Sequence, residues 1–152
     1  MRIRRSAQLF AVLTLVLMPR AMKAQSTQPD PQQKKPVVAL GQNYPNPFNP
    51  ESRIQFTLGD YPACTDGGKQ YHVTLRIYNL LTQVVAYPQL EGSSGGVAGG
   101  QRLENVLLPC GQYTAYWNGK YMGTSREAAS GTYYWQIIAD GQSLIRRSLV
   151  AK

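Results

Sequence analysis

Apolar and polar residues alternate one by one in short runs that begin after residue 36. In 53–58, Ile54, Phe56 and Leu58 alternate with polar neighbours, and similar runs recur along the rest of the chain. A period of two is typical of β-strands that bury one face. The pattern predicts strands at 53–58, 72–78, 84–87, 103–108, 113–117, 133–138 and 143–151.

Residues that break regular structure separate these runs. The segment 91–101, "EGSSGGVAGGQ", indicates a flexible loop, and "ADGQ" at 139–142 carries the Asp-Gly signal of a hairpin. The longest connection, 118–131, has room for one short helical turn at 125–129. About seven strands within 39–152 favour an all-β fold, an antiparallel β-sandwich of immunoglobulin type.

The first 38 residues have a different pattern. Residues 1–24 resemble an export signal: three arginines precede an apolar run at 7–18 that is short for a membrane span, and we expect cleavage after Ala24. A short membrane anchor or an amphipathic N-terminus is the alternative. Residues 25–38 are rich in Gln, Pro and Lys and predict a disordered linker. The chain is therefore expected to be exported across the inner membrane, with no stable span after signal cleavage.

The net charge changes when the signal is removed. The full chain carries +8, but five of its sixteen basic residues and none of its eight acids lie in 1–24, which leaves +3. The remaining basic residues are scattered, with only Lys34–Lys35 and Arg146–Arg147 adjacent. This is not the clustered positive charge of a nucleic-acid-binding protein, so we expect no nucleic-acid partner.

The residue types that catalysis or metal binding needs are few and poorly placed. Two cysteines and one histidine, His72, cannot supply a zinc site, and His72 falls on the outward side of its predicted strand. Asp66 and Ser93, its conceivable catalytic partners, lie in Gly-rich loops. No two acids form a pair on a rigid strand, and "SSGGVAGG" at 93–100 lacks the context of a phosphate loop. We expect neither enzymatic activity nor a cofactor.

The two cysteines, Cys64 and Cys110, are expected to form a disulfide, which export permits. If the strands run alternately up and down, and if 88–102 adds no extra hairpin, both lie at one end of the sandwich. A bridge that closes about 46 residues would contribute about 4 kcal/mol in the chain-entropy model. Two free thiols in separate loops are the alternative.

Three tyrosines, Tyr78, Tyr116 and Tyr134, fall on the outward side of three predicted strands. An exposed aromatic row of this kind binds glycan or a protein surface in some proteins. The alternative is that these side chains cover one sheet face, pack against the segment 88–102 or fill an edge.

Five sequence blocks occur in an order that resembles a known family. They are "LGQNYPNPFNPESRIQFTL" (40–58), "VTLRIYNLLTQVV" (73–85), "LPCGQYTAYWNG" (108–119), "ASGTYYWQI" (129–137) and "RRSLVAK" (146–152). The chain resembles the C-terminal sorting domain of type IX secretion system cargo proteins. It is similar to the variant that also resembles the Ig-like domain of the flagellar hook-scaffold protein. The resemblance covers 39–152, and its first block is the most specific.

The resemblance implies a module that the outer-membrane protein export machinery reads and places at the cell surface. The residues it implies for the sorting signal are Asn43, Tyr44, Pro45, Asn46, Pro47, Phe48, Asn49, Pro50, Gly131, Arg147 and Lys152. The "YPNPFNP" stretch would be a rigid, extended segment that precedes the first strand. Its asparagines are expected to bond to local backbone, and Phe48, with Tyr44, to pin it onto the sandwich.

One departure from the family keeps a second function open. Between the expected signal and the domain we expect only about fourteen residues of linker, which would leave no passenger for the domain to export. The alternative function is a stand-alone structural or adhesive module that binds protein or glycan at the cell surface. The two functions differ in fate, because a sorting domain is removed or modified outside the cell and a structural module stays whole.

Overall fold

A computed structural model describes residues 35–93 and 96–152, and its regular structure there consists of nine β-strands. The all-β prediction is confirmed, but the predicted number of seven strands is wrong. The two strands without a predicted counterpart have three and two residues, too few for a visible alternation. The strands are β1 (Val38–Leu40), β2 (Ser52–Leu58), β3 (Gln70–Asn79), β4 (Val84–Ala86), β5 (Gln89–Leu90), β6 (Val106–Pro109), β7 (Gly111–Trp117), β8 (Gly131–Ala139) and β9 (Gln142–Val150).

The strands form two antiparallel sheets that pack face to face. The first sheet has the order β1-β2-β7-β5, and the second has the order β4-β3-β8-β9, with β6 beside the first part of β3. These orders match A-B-E-D and C′-C-F-G of immunoglobulin domains. The predicted β-sandwich is therefore confirmed.

The core is built from the inward residues of both sheets. β3 places Val73, Leu75 and Ile77 inside, and all three are fully buried. Trp117 of the first sheet lies 6.1 Å from Trp135 of the second, ring centroid to centroid. The alternation seen in the sequence thus gives the correct inward faces of the long strands.

A tyrosine near the start of β8 ties that strand to the preceding loop. The Tyr133 hydroxyl donates a hydrogen bond to the carbonyl oxygen of Ala129 at 3.1 Å. Burial raises the pKa of Tyr133 to about 12. This arrangement is the tyrosine corner of immunoglobulin-type sandwiches.

The folded part begins slightly before the predicted boundary. β1 starts at Val38, the last residue assigned to the linker, and the Val37 N–H donates to Gln142 Oε1 at 2.8 Å. Gln142 Nε2 donates in turn to the carbonyl of Lys35 at 3.2 Å. The predicted signal at 1–24 and most of the linker lie outside the described residues.

The connection after β7 contains no helical turn at 125–129, so that expectation is wrong. Lys120 instead forms an antiparallel bridge with Glu127. The Tyr121 N–H donates to the carbonyl of Arg126 at 2.9 Å, and the Ala128 N–H donates to that of Gly119 at 2.7 Å. The segment is therefore a narrow loop whose two sides bond to each other.

Cys64 and Cys110 form the predicted disulfide, with an S–S distance of 2.08 Å. The bond joins the loop between β2 and β3 to the turn between β6 and β7. It lies at the end of the sandwich where Leu58 pairs with Gly111.

The condition attached to the disulfide prediction does not hold, because the segment 88–102 does reverse the chain. The Leu90 N–H donates to the carbonyl of Gln101 at 2.8 Å, and the Gly100 N–H donates to that of Leu90 at 2.7 Å. A further antiparallel bridge joins Gln89 and Arg102. This extra reversal returns the chain to the far end, so that β6 can run back beside β3 and bring Cys110 to Cys64.

Candidate recognition surface

Residues 42–50, called the cap below, connect β1 to β2 and lie along the end of β9. Pro45, Pro47 and Pro50 have no N–H to give to a strand ladder, so the cap forms no regular strand. One bridge ties it to β2: the Tyr44 N–H donates to the Arg53 carbonyl at 2.7 Å, and the Arg53 N–H donates back at 2.8 Å.

The backbone of the cap is hydrogen-bonded to β9. The Phe48 N–H donates to the carbonyl of Leu149 at 2.9 Å, and the Ala151 N–H donates to the carbonyl of Phe48 at 3.0 Å. Gln42 Nε2 adds a hydrogen bond to the carbonyl of Arg147 at 3.0 Å. β9 is the edge strand of the second sheet, and the cap occupies the edge of its last residues. The first and the last of the resembling blocks therefore form one surface.

The asparagines of the cap differ in what they bond. Asn43 is buried, and its Nδ2 donates to the carbonyl of Pro45 at 3.1 Å and to Ser52 Oγ at 3.0 Å. Asn46 Oδ1 accepts a hydrogen bond at 2.9 Å from the N–H of Leu149, which lies in the distant strand β9. Asn49 is exposed, and its side chain forms no hydrogen bond with the described residues. The prediction of local bonding is confirmed for Asn43 and wrong for Asn46.

The two aromatic residues of the cap also differ. Phe48 is 2% exposed, and its ring lies 5.4 Å from Trp117 in an edge-to-face contact. Trp117 in turn lies 5.7 Å from Tyr133, so Phe48 joins an aromatic cluster that crosses both sheets. Tyr44 is 78% exposed and pins nothing. The predicted anchor is thus confirmed for Phe48 and wrong for Tyr44.

The end of the cap packs tightly against the loop after β7. A Cβ atom on Gly119 would lie 1.9 Å from the carbonyl oxygen of Pro50, and the φ angle of Gly119 is +72°. Only glycine fits both the space and the backbone conformation. The cap is therefore held between β9 and this loop.

Gly131 and Lys152 lie at the same end of the sandwich as the cap. Gly131 pairs with Val150, and the Lys152 N–H donates to Ser130 Oγ at 3.1 Å. The Lys152 ammonium lies 2.6 Å from Glu127 Oε2, and this hydrogen bond is the main cause that lowers the pKa of Glu127. Arg147 differs, because its exposed side chain extends from the outer face of the second sheet.

Three residues of this surface were not among the predicted sorting residues: Gln42, Ser52 and Glu127. Ser52 could have been found from the sequence, because it is a polar residue on the inward face of β2, the same face as Ile54 and Phe56. Its hydroxyl donates to the Pro45 carbonyl at 3.1 Å. Gln42 and Glu127 carried no such signal, since the bonds that tie them to this surface go to Arg147 and Lys152, which are distant in sequence.

The three outward tyrosines do not form one row. Tyr78 and Tyr134 stack on the outer face of the second sheet, with ring centroids 5.4 Å apart. Tyr116 lies on the first sheet, where its hydroxyl donates to Glu51 Oε2 at 2.6 Å and the Arg53 guanidinium lies 5.0 Å from its ring centroid. Two separate faces therefore replace the single aromatic surface considered from the sequence.

His72, the one histidine of the chain, lies at an outward position of β3. His72 is exposed, and its backbone N–H donates to Asp140 Oδ1 at 3.0 Å. Within 35–93 and 96–152, no three acidic, histidine or cysteine side chains cluster closely enough to hold a metal ion. The same ranges contain no helix with the length and hydropathy to cross a membrane.

Comparison of the chain with known protein families, with curated proteins and with solved structures finds no match.

Proposed function

We propose that this chain is an exported, non-enzymatic Ig-like module of the type IX sorting kind. The cap and β9 together form the surface that the outer-membrane export machinery recognises before the module is placed at the cell surface. The observation that supports this most directly is the hydrogen bonding of Phe48 to Leu149 and Ala151, which joins the first and last blocks of the resemblance.

The exposed residues of the cap fit a recognition role. The side chain of Tyr44 is 78% exposed, although its backbone N–H and carbonyl are both hydrogen-bonded to Arg53. An exposed aromatic side chain on a rigid backbone adds nothing to the core, but it offers a large contact area at low entropic cost. Arg147 adds an exposed positive charge beside the cap, and arginine is enriched at protein interfaces.

Export of a reporter tests this function. The reporter is inserted after Lys34 in the full chain, in a bacterium with a type IX system, and its amount outside the cell is measured. We expect Tyr44→Ala and Arg147→Gln to reduce surface delivery strongly without unfolding the domain. The matched control is Tyr61→Ala, because Tyr61 is 44% exposed in the loop between β2 and β3. Normal delivery of both the Tyr44 and the Arg147 variant, or delivery without residues 35–152, would contradict the proposal.

The outer face of the second sheet favours a second candidate, a structural or adhesive module. Ile145 and Leu149 are 45% and 40% exposed there, beside the stacked Tyr78 and Tyr134. A partly apolar exposed face of this kind marks interaction sites. The intact mass of the protein recovered outside the cell separates the two candidates. Loss of the domain, or an added anchor, supports sorting, and retention of the whole domain supports the structural module.

A further inference from the structure

A cavity of about 150 Å³ lies where β4, β5 and the end of β7 meet the loop 118–124. Three segments of the chain contribute polar and aromatic side chains to its lining: Tyr87, Gln89, Arg102, Lys120, Tyr121 and Thr124. None of the cap residues lines it, and neither does any residue of β9. The cavity is therefore separate from the proposed recognition surface.

The walls of the cavity are fixed by hydrogen bonds. Trp117 Nε1 donates to the carbonyl of Lys120 at 2.9 Å, and the Met122 N–H donates to the carbonyl of Val85 in β4 at 2.7 Å. Thr124 Oγ1 closes the loop by donating to the carbonyl of Tyr121 at 3.1 Å. A ligand would enter a preformed site and would not have to order the loop.

The charge of the lining is positive. Arg102 and Lys120 line the cavity, and no acidic residue does so. In the described part of the chain, Lys120 forms no ion pair. Arg102 has a long contact of 3.7 Å to Glu104, and both side chains are about half exposed, so this pair holds the guanidinium weakly.

Two acids that neighbour lining residues are already bonded to other bases. The carboxylate of Glu127, across the bridge from Lys120, is bonded to the Lys152 ammonium at 2.6 Å. Glu91, which follows β5, is bonded to Arg53 Nε at 2.8 Å. Lys120, together with the weakly held Arg102, is thus left to attract an anion from solution.

Size and lining limit the ligand further. The volume equals that of about five water molecules, so a single sugar ring is of the right order and a drug-sized molecule is too large. Tyr87 and Tyr121 offer aromatic surface, which packs against the C–H groups of a sugar ring. Gln89 and Thr124 offer donors and acceptors for hydroxyl groups.

We propose that this cavity binds one acidic sugar unit of the uronic acid class. The carboxylate lies between Arg102 and Lys120, and the ring lies against the tyrosine side chains. The inference goes beyond the proposed function, and because the cavity shares no residue with the cap, either can fail without the other.

Chemical-shift titration of the full chain, purified without reducing agent, tests the site. The probes are glucuronate, an oligosaccharide that ends in glucuronate, glucose and acetate. We expect glucuronate to saturate the site at low millimolar concentration or below, with shifts concentrated at 118–124 and at the Trp117 indole N–H. Glucose and acetate should each bind at least about tenfold more weakly, because each lacks half of the contacts. Saturation by the oligosaccharide assigns the site to the end of a glycan chain, and saturation by glucuronate alone assigns it to the free sugar.

The variant Lys120→Gln should weaken glucuronate binding about tenfold, with the remaining spectrum unchanged as proof of folding. The matched control is Lys69→Gln, since Lys69 lies over the Tyr71 ring, away from the cavity. The proposal is wrong if glucuronate and acetate bind equally well, if the shifts are scattered over the surface, or if Lys120→Gln binds like the control.

Discussion

The two ends of the sandwich fasten their irregular segments in different ways. At one end, the disulfide between Cys64 and Cys110 holds the loop between β2 and β3. At the other end, the cap is held by hydrogen bonds to β9 and by the buried ring of Phe48. The loop between β2 and β3 buries no side chain completely, whereas the cap buries Asn43 and Phe48. The covalent bond thus lies where a segment has no fully buried side chain of its own.

The largest expected effect comes from the covalent end. Replacing both cysteines, Cys64→Ser with Cys110→Ser, should lower the free energy of unfolding by about 4 kcal/mol, because the bond no longer restricts a 46-residue loop in the unfolded chain. Urea unfolding followed by tryptophan fluorescence measures this. Reduction of the native protein should give the same loss. A loss below about 1 kcal/mol would show that the loop is held by other contacts.

At the other end, Phe48→Ala should lower the free energy of unfolding by about 3 kcal/mol. Loss of a buried aromatic ring removes apolar burial and leaves a cavity beside Trp117, although a loop can partly close it. Tyr44→Ala, two prolines away, is the matched control, and it should change stability by less than about 0.5 kcal/mol because its ring is exposed. Equal losses of free energy of unfolding in the two variants would contradict the view that Phe48 anchors the cap and Tyr44 does not.

The smallest effect concerns the ion pair of Lys152 with Glu127, which closes the cap end. The pKa of the Glu127 carboxyl is lowered in the folded chain, so this group stabilises the fold above its ordinary pKa of 4.5. The contribution is lost as the pH falls through the lowered value. The melting temperature of Lys152→Ala should therefore lie slightly below that of the native chain at pH 7, and the gap should close in acid. Lys152→Arg keeps the positive charge, so its melting temperature should follow that of the native chain at every pH.

The sequence predicted the long strands and the fold class because their alternation reports which side is buried. β2, β3, β7, β8 and β9 all lie close to their predicted positions. β1 and β5 could not be found, since three and two residues show no period and are fixed by pairing with β2 and β7. Short strands of this kind are specified by tertiary contacts rather than by their own residues.

The sequence predicted which segments form the candidate surface, but it did not predict that these segments contact each other. The proline-rich block and the last strand were both singled out, but nothing local in either indicates that Phe48 bonds to Leu149 and Ala151. The reversal near Leu90 was also hidden, because its segment is rich in glycine and carries no alternation. Backbone pairing between distant segments depends on the completed sheets, which a single pattern does not describe.

The contact between Phe48 and Val150 also imposes an order in time. The bridge joins two residues about a hundred positions apart, so the cap lacks its partner in the second sheet while β9 is still being synthesised. Contacts of such long range form late, after the local strands have paired. In a nascent chain the backbone of Phe48 thus stays unpaired until the last strand emerges. Its pairing with β9 is completed only after the whole domain has been made.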